Sequence, residues 1–496
     1  MGRVIPESIL FLDPTQRIQV LSYNADQMLT TAESSESRGA EMILEGLKLL
    51  TSPGEGAASA ATAAEGLLSS GLERLQRTLV SSIASYDLYV LFLAIVLLLN
   101  SARIHLKFSD PLHILVTVCS VLSVHCVTCS FVESSLCQPG KGSVLVLTFT
   151  VLSITFSSPI NALQLNKQLD TVPILFISLH SLSLLSSSFI EEEHQTFYFL
   201  TASSLVVYGA GARSTGPVLR LLATLASHRL LRSFNQTGDK WRHLPDLADA
   251  INSDLKEWRF LMFVFSALLT FLLIKRGTKN VVLIGAILSV IVCQKYFASV
   301  ELAQTAFVLL LLKLVIERHN RTLFESILLC CLLLHSETNV ISILVLLCYL
   351  HALKPVLCAM PDNTASVIIW LVAKSSFFYL GNSNGLATIN VGAGYTGLTG
   401  YSPVIVTVLL AVHTYSGPLI VYSYCLTYWD KGLLLRTYFW STWSSLLVFS
   451  LLCVLMRYHI FVWTVFSPKL LYFGMELVVF SVFITMYSLY ETYVSR

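Results

Sequence analysis

Long apolar runs broken by short polar stretches dominate this chain from Tyr86 to its C-terminus. Runs of 16 to 25 residues recur, and they do not alternate between apolar and polar positions. About 20 apolar residues match the hydrocarbon core of a bilayer as a helix. In lipid the backbone must satisfy its own hydrogen bonds, so helices are the expected spanning form, and a barrel of short alternating strands is not. The pattern predicts spans at 86–101, 111–132, 143–160, 172–190, 196–212, 258–274, 280–297, 299–316, 322–336, 338–357, 364–380, 403–426, 436–456 and 470–490. Several are short or closely spaced, so about 12–14 spans are expected. The predicted fold is all-α, a polytopic transmembrane helical bundle.

Residues 1–80 follow a different pattern. Gly39–Leu50 reads as a helix, and Thr51–Ala60 (TSPGEGAASA) reads as a flexible linker. Leu68, Leu72, Leu75, Leu79 and Ile83 recur in steps of four and three, one face of an amphipathic helix. Residues 1–80 are therefore predicted to be a partly helical, water-exposed stalk, and 81–496 the membrane domain. The N-terminus has too short and broken an apolar core for a signal peptide and lacks a myristoylation pattern.

Composition agrees with lipid as the solvent. Of the 496 residues, 54% are hydrophobic and 12% charged, against about 25% charged in a soluble domain. Mean hydropathy is +0.70. The net charge of +2 and the absence of a long basic block exclude nucleic acid as an expected partner. The eleven cysteines lie mostly in apolar runs, where they act as small hydrophobes.

Loop charge predicts orientation. The stretches near Arg103, Lys107 and Lys167 are basic, Glu191–Glu193 is acidic, and Arg213–Arg259 carries eight Lys or Arg. If spans alternate, the basic loops are cytoplasmic and the stalk shares the lumen with Glu191–Glu193. "KRGTK" at 275–279 votes the other way. A lumenal stalk with no signal sequence leads to the expectation of a preceding segment with its own signal or span.

The ionisable residues inside predicted spans are His125, His180, Lys295, Glu301, Lys313, Lys374, His413 and Glu476. Such residues are functional candidates. Most lie near a predicted span end, where snorkelling would suffice. Glu301 stands out, with Gln304 on the same helix face. His125–Cys129 (HCVTC) holds a C-x-x-C without a second pair, better read as small packing residues than as a metal or redox site. No H-E-x-x-H or Walker A motif is present.

Two polar stretches remain. Gly381–Tyr401 (GNSNGLATINVGAGYTGLTGY) holds six glycines, but neither follows a strand nor ends in Gly-Lys-Ser/Thr. It reads as a re-entrant or interfacial loop, or as close helix contacts through Gly394, Gly397 and Gly400. Its Asn382, Ser383, Asn384 and Asn390 could meet a lipid headgroup. In Ser227–Asp246, His228, Arg229, Arg232, Lys240 and Arg242 could bind phosphates; an orientation-setting cytoplasmic loop is the alternative. The sequon at Asn235 would then be cytoplasmic and unmodified.

Four stretches carry a resemblance: Leu231–Trp241 (LRSFNQTGDKW), Phe377–Leu398 (FFYLGNSNGLATINVGAGYTGL), Arg457–Glu476 (RYHIFVWTVFSPKLLYFGME) and Ile5–Leu29. The first resembles the membrane part of glycosylphosphatidylinositol (GPI) ethanolamine phosphate transferases. The second and third look like the type acting on the second mannose, and Ile5–Leu29 like the segment after that family's lumenal catalytic domain. The resemblance implies an endoplasmic reticulum membrane protein, multi-pass, that accommodates phosphatidylethanolamine and the GPI precursor. It implies phosphoethanolamine transfer by an alkaline-phosphatase-like domain with zinc. That domain's Asp and His motifs, including Gly-Asp-His-Gly, are not in this sequence, so no catalytic residue and no cofactor site is carried over. A fragment, a splice form or a stand-alone paralogue would fit this pattern. Lipid-contact candidates by the resemblance are Arg229, Arg232, Asn235, Gln236 and Trp241, with Asn382, Ser383, Asn384 and Tyr395. The alternatives are a lipid transporter or scramblase, and a non-catalytic partner subunit; a small membrane partner subunit is a further expectation.

Overall fold

The computed structural model describes residues 13–31, 38–51, 57–83, 91–92, 94–95, 98, 171–210, 215–235, 246–319, 321–456 and 465–495. The predicted spans 111–132 and 143–160, most of 86–101, and the His125–Cys129 motif lie outside these residues. The chain divides into two units, residues 1–91 with 452–464, and 92–451 with 465–496. The described residues form helices and no strand, as the apolar runs require.

In the first unit, α1 (Pro14–Thr31), α2 (Arg38–Thr51) and α3 (Ala57–Ile83) share a small core. Leu68, Leu72 and Leu75 are fully buried against Ile43, Ala25 and Met28, so the four-three periodicity marked the buried face. The linker expected at 51–60 is shorter than its composition indicated, because Ala57–Ala60 already form the first turn of α3. Alanine-rich sequence favours helix as soon as proline and glycine are passed. Helices α2 and α3 cross at glycines: a Cβ on Gly39 would lie 2.7 Å from the Leu75 backbone nitrogen. Gly39→Leu is expected to force the two backbones apart and lower the stability of this unit by about 1–3 kcal/mol. Limited proteolysis of the intact protein checks this; unchanged protection of residues 38–83 would count against the close crossing.

The second unit contains α4 (Thr171–Ser183), α5 (Ser187–Glu191), α6 (Glu193–Ala210), α7 (Thr215–Phe234), α8 (Leu247–Ser253), α9 (Arg259–Ile274), α10 (Val281–Phe297), α11 (Val300–Ile316) and α12 (Thr322–Leu334). It continues with α13 (Glu337–Leu357), α14 (Asp362–Tyr379), α15 (Pro403–Thr414), α16 (Ser416–Cys425), α17 (Lys431–Leu455) and α18 (Ser467–Ser495). Among the described residues four helical segments are long and apolar enough to cross a membrane: Lys256–Gly277 around α9, then α13, α17 and α18. The pair α15 and α16, bent by 69° at Tyr415, makes a fifth if taken as one broken span. Helices α4, α10 and α12 are apolar but shorter.

Helices α13 and α14 form the centre. α14 is buried on every side from Ala365 to Tyr379 except at Lys374. Lipid tails are as apolar as leucine, so helices associate through close packing and interhelical hydrogen bonds. The packing of α14 shows both: against α16, a Cβ on Gly417 would lie 2.3 Å from the Ser376 carbonyl oxygen, and against α17 the Ser366 and Thr437 hydroxyls are 2.9 Å apart.

The basic segment 213–259 is not one loop. Its first half is the 20-residue helix α7, which packs on α6 and α13. Leu221, Thr224, His228 and Leu231 form its buried stripe, a helical spacing. Arg220, Arg229 and Arg232 dilute its hydropathy, which is why it does not read as a span. Helices α6 and α7 form an antiparallel hairpin, closed by an Arg232 Nη2 to Gln195 Oε1 bond of 2.6 Å. Residues 190–195 and 228–235 therefore share one end of the bundle. The alternation that set Glu191–Glu193 opposite the basic stretch is corrected by this extra helix.

Candidate functional site

At that shared end several helices break, among them after α5, after α7, after α14, between α15 and α16, and before α18. The break after α14 is made by glycine. Gly381 adopts φ +87° and its N–H donates to the Phe378 carbonyl at 3.0 Å. This left-handed stop favours glycine. It also admits a neighbour, since a Cβ there would lie 3.2 Å from Asn235 Oδ1. Asn235 Nδ2 in turn donates to the Tyr379 carbonyl at 2.6 Å. The Leu231–Trp241 and Phe377–Leu398 stretches thus meet in space.

Beyond the turn, Asn382 is buried and donates to the carbonyls of Phe377 and Thr414, at 3.0 and 3.1 Å. It ties the loop to the helix break at Tyr415. Asn384 then reaches inward: its Nδ2 donates to the Ile190 carbonyl at 2.8 Å and to Glu193 Oε2 at 3.2 Å. Its Oδ1 accepts from Lys469 Nζ at 3.2 Å. Lys469 also bonds Glu193 directly. His180 Nε2 lies 3.1 Å from Glu193 Oε1, and His180 Nδ1 lies 3.1 Å from Ser445 Oγ. Glu193 opens α6, where a carboxylate is favoured by the helix dipole.

Two turns along α18 sits a second ion pair. Lys374 Nζ of α14 donates to both Glu476 oxygens, at 2.6 and 2.7 Å. Phe473 lies between the pairs, its ring centroid 4.3 Å from Lys469 Nζ and 5.6 Å from Lys374 Nζ. Both pairs line one cleft, with Asn384, Tyr415 and Tyr472 among its polar walls and Phe197, Phe377 and Phe378 among its apolar ones. From Lys469 to Glu476 the axial separation is roughly 10 Å at the α-helical rise. The cleft thus offers two cations, two anions and aromatic surface inside a helical bundle.

The residues expected from sequence are distributed unevenly. Asn384 lines the cleft. Asn382 and Asn235 shape its loop, and Ser383 Oγ accepts from the Gly385 N–H within it at 3.0 Å. Arg232 is bonded to Gln195 and stacks its guanidinium 5.6 Å over the Tyr198 ring. Arg229 is exposed. Tyr395 is also exposed and pairs with Tyr401 at 6.5 Å between ring centroids. Gln236 and Trp241 lie outside the described residues. Of the glycines, Gly394 and Gly397 make close contacts, with Val406 and Phe307, while a Cβ on Gly400 would meet nothing.

Snorkelling does not describe the ionisable residues inside the bundle. His180, Lys313, His413 and Glu476 are buried, and Lys374 nearly so. Lys313 is fully buried between Glu317 and Glu325, and His413 stacks on His335 at 4.2 Å. Glu301 is the exposed one; its helix neighbour Gln304 donates to the Gly397 carbonyl at 2.9 Å. Glu193 and Lys469 were not among the site candidates read from the sequence: Glu193 entered only as part of an acidic stretch, and Lys469 only within the Arg457–Glu476 stretch that carries the resemblance. Among the described residues no group of three or more His, Cys, Asp or Glu is placed to hold a metal ion.

The family "GPI ethanolamine phosphate transferase membrane region" matches residues 141–315 and 297–494. The human protein named GPI ethanolamine phosphate transferase 2, catalytic subunit, is 25% identical over 82% of this chain and 56% of its own length. GPI ethanolamine phosphate transferase 2 of Schizosaccharomyces pombe is 30% identical over 60% of this chain and 39% of its own length. The Kluyveromyces lactis protein of that name is 26% identical, over 59% and 42%. The chain spans about half the length of the curated relatives it matches. No solved structure matches it. With the family matched across most of the sequence, the chain belongs to the GPI ethanolamine phosphate transferase membrane-region family.

Proposed function

We propose that this chain is the lipid-holding region of a second-mannose-type GPI ethanolamine phosphate transferase, multi-pass in the endoplasmic reticulum membrane. In this reading it accommodates phosphatidylethanolamine and the GPI precursor. A phosphatase-like catalytic domain, carrying its own zinc, transfers the phosphoethanolamine. A small membrane subunit is a further expected partner.

One observation carries the reading: Asn384, Lys469 and Glu193, from three distant parts of the sequence, close one wall of a single cleft. The cleft pairs aromatic surface with both signs of charge, as a lipid headgroup and its attached chains require. Binding energy spent on positioning a substrate lowers the barrier to its reaction. The bundle would supply position and the catalytic domain the bond-breaking groups.

The test joins this chain to the catalytic domain of a relative and follows phosphoethanolamine transfer onto a mannosylated GPI acceptor. Asn384→Ala removes the bonds that hold the loop to Glu193 and Lys469, and is expected to lower transfer about tenfold at unchanged expression. Full transfer by this variant would remove the cleft from the reaction. Transfer to another mannose only would correct the acceptor.

A further inference from the structure

The two ion pairs in the cleft are held differently. Lys469–Glu193 is built in, with Asn384 bonded to both partners and His180 beside the carboxylate. Lys374–Glu476 lacks hydrogen-bonding neighbours of that kind; Phe473 and the buried Tyr415, Tyr422 and Tyr438 lie close to it instead. Its only side-chain hydrogen bonds among the described residues are those between the two groups themselves. Both side chains face the cleft and keep 12% and 11% of their surface exposed, against 7% and 2% for Lys469 and Glu193.

Separating a sheltered ion pair is costly unless each charge finds a new partner at once. A simple anion would take Lys374 and leave Glu476 unpaired; a simple cation would do the reverse. A ligand carrying both charges on adjacent groups replaces both partners together. The cation must also have N–H bonds to give, because Glu476 now accepts two charge-assisted hydrogen bonds and a quaternary ammonium supplies none. Aromatic walls beside the pair suit the apolar part of an amphiphile.

We propose that Lys374–Glu476 is an exchangeable pair that opens to take a phosphoethanolamine headgroup. The phosphate accepts from Lys374 Nζ and the primary ammonium donates to the Glu476 carboxylate. Lys469, Glu193 and Asn384 stay in place as the fixed wall. This rests on the lipid-holding reading only in treating the cleft as open to amphiphiles; it requires neither transfer nor a particular mannose. The same headgroup chemistry belongs to a membrane phospholipid and to a glycolipid already bearing phosphoethanolamine.

The experiment reads binding, so it is separable from the transfer assay. The full chain is placed in nanodiscs of phosphatidylcholine with minor phosphatidylethanolamine or phosphatidylglycerol, and the retained lipids are quantified by native mass spectrometry. The wild type is expected to enrich phosphatidylethanolamine over both others, by about tenfold for a site that uses the ammonium N–H bonds. Lys374→Met combined with Glu476→Met removes both charges together and is expected to abolish that enrichment. Should the double variant fail to fold, Glu476→Asp keeps the charge but draws it back by one methylene, and is expected to reduce the enrichment. Displacement of the retained lipid by glycerophosphoethanolamine would show that the headgroup alone suffices, from either source. Retention against that competitor would assign the site to the intact phospholipid. Equal retention of phosphatidylcholine by the wild type overturns the proposal, as does enrichment unaltered in the double variant or in Glu476→Asp.

Discussion

Lys469→Met is expected to cost about 3–5 kcal/mol, a large part of the stability of a typical fold. Lys469 and Glu193 expose 7% and 2% of their side chains, so removing the lysine strands a carboxylate out of water. Asn384 Nδ2 and His180 remain beside it. A hydrogen bond to a charged group returns only about 1.5–3 kcal/mol, and these bonds already exist in the wild type. The loss therefore stands uncompensated. Lys469→Met combined with Glu193→Gln removes the stranded charge and is expected to recover most of it, because a neutral pair needs no counter-ion. Thermal unfolding of the purified protein in detergent reads both variants. A Lys469→Met protein that melts with the wild type would show that this pair is hydrated and not a fixed wall.

Gly417→Val is the second large effect, and it acts through shape alone. Gly417 is the second residue of α16, immediately past the 69° bend, and its backbone rests on the Ser376 backbone of α14. A Cβ there would sit 2.3 Å from the Ser376 carbonyl oxygen and 2.6 Å from its carbonyl carbon. Neither atom can swing aside as a long side chain would. The two helices must separate, forfeiting contacts among the buried Phe377, Leu419 and Ile420. A cost of about 3 kcal/mol, the upper part of the usual overpacking range, is expected. The bend also carries Tyr415, whose hydroxyl donates to the Tyr472 carbonyl at 2.7 Å across the cleft. Melting temperature and retained lipid should fall together; a variant that keeps both would mean that the α14–α16 contact is looser than described.

Much of the architecture was legible along the chain. The apolar runs at 258–274, 280–297, 299–316 and 338–357 became helices with ends within a residue or two of their polar breaks. Leucines 68, 72 and 75 announced a buried face by spacing alone. Gly381 and Gly397 proved to need positive φ, which a dense glycine stretch foreshadows without saying where. Helix α7 was hidden because hydropathy averages over all sides of a helix. Its arginines lowered the average while Leu221, Thr224, His228 and Leu231 quietly kept one face for the core.

The amino-acid sequence by itself determined the solvent, the helical form of the chain and the places where it stops, because each depends on local hydropathy, backbone freedom and proline or glycine. It also carried the family, through stretches that stay recognisable wherever they fold. Only the tertiary structure decided what the buried charges do. Lys374 and Glu476 are 102 residues apart, and Lys469 and Glu193 are 276 apart. A lone charge near the end of an apolar helix reads the same whether it reaches for water or for a counter-ion. The choice rests on the energy of a partner supplied by another helix, and that partner is placed by packing, not by position in the chain.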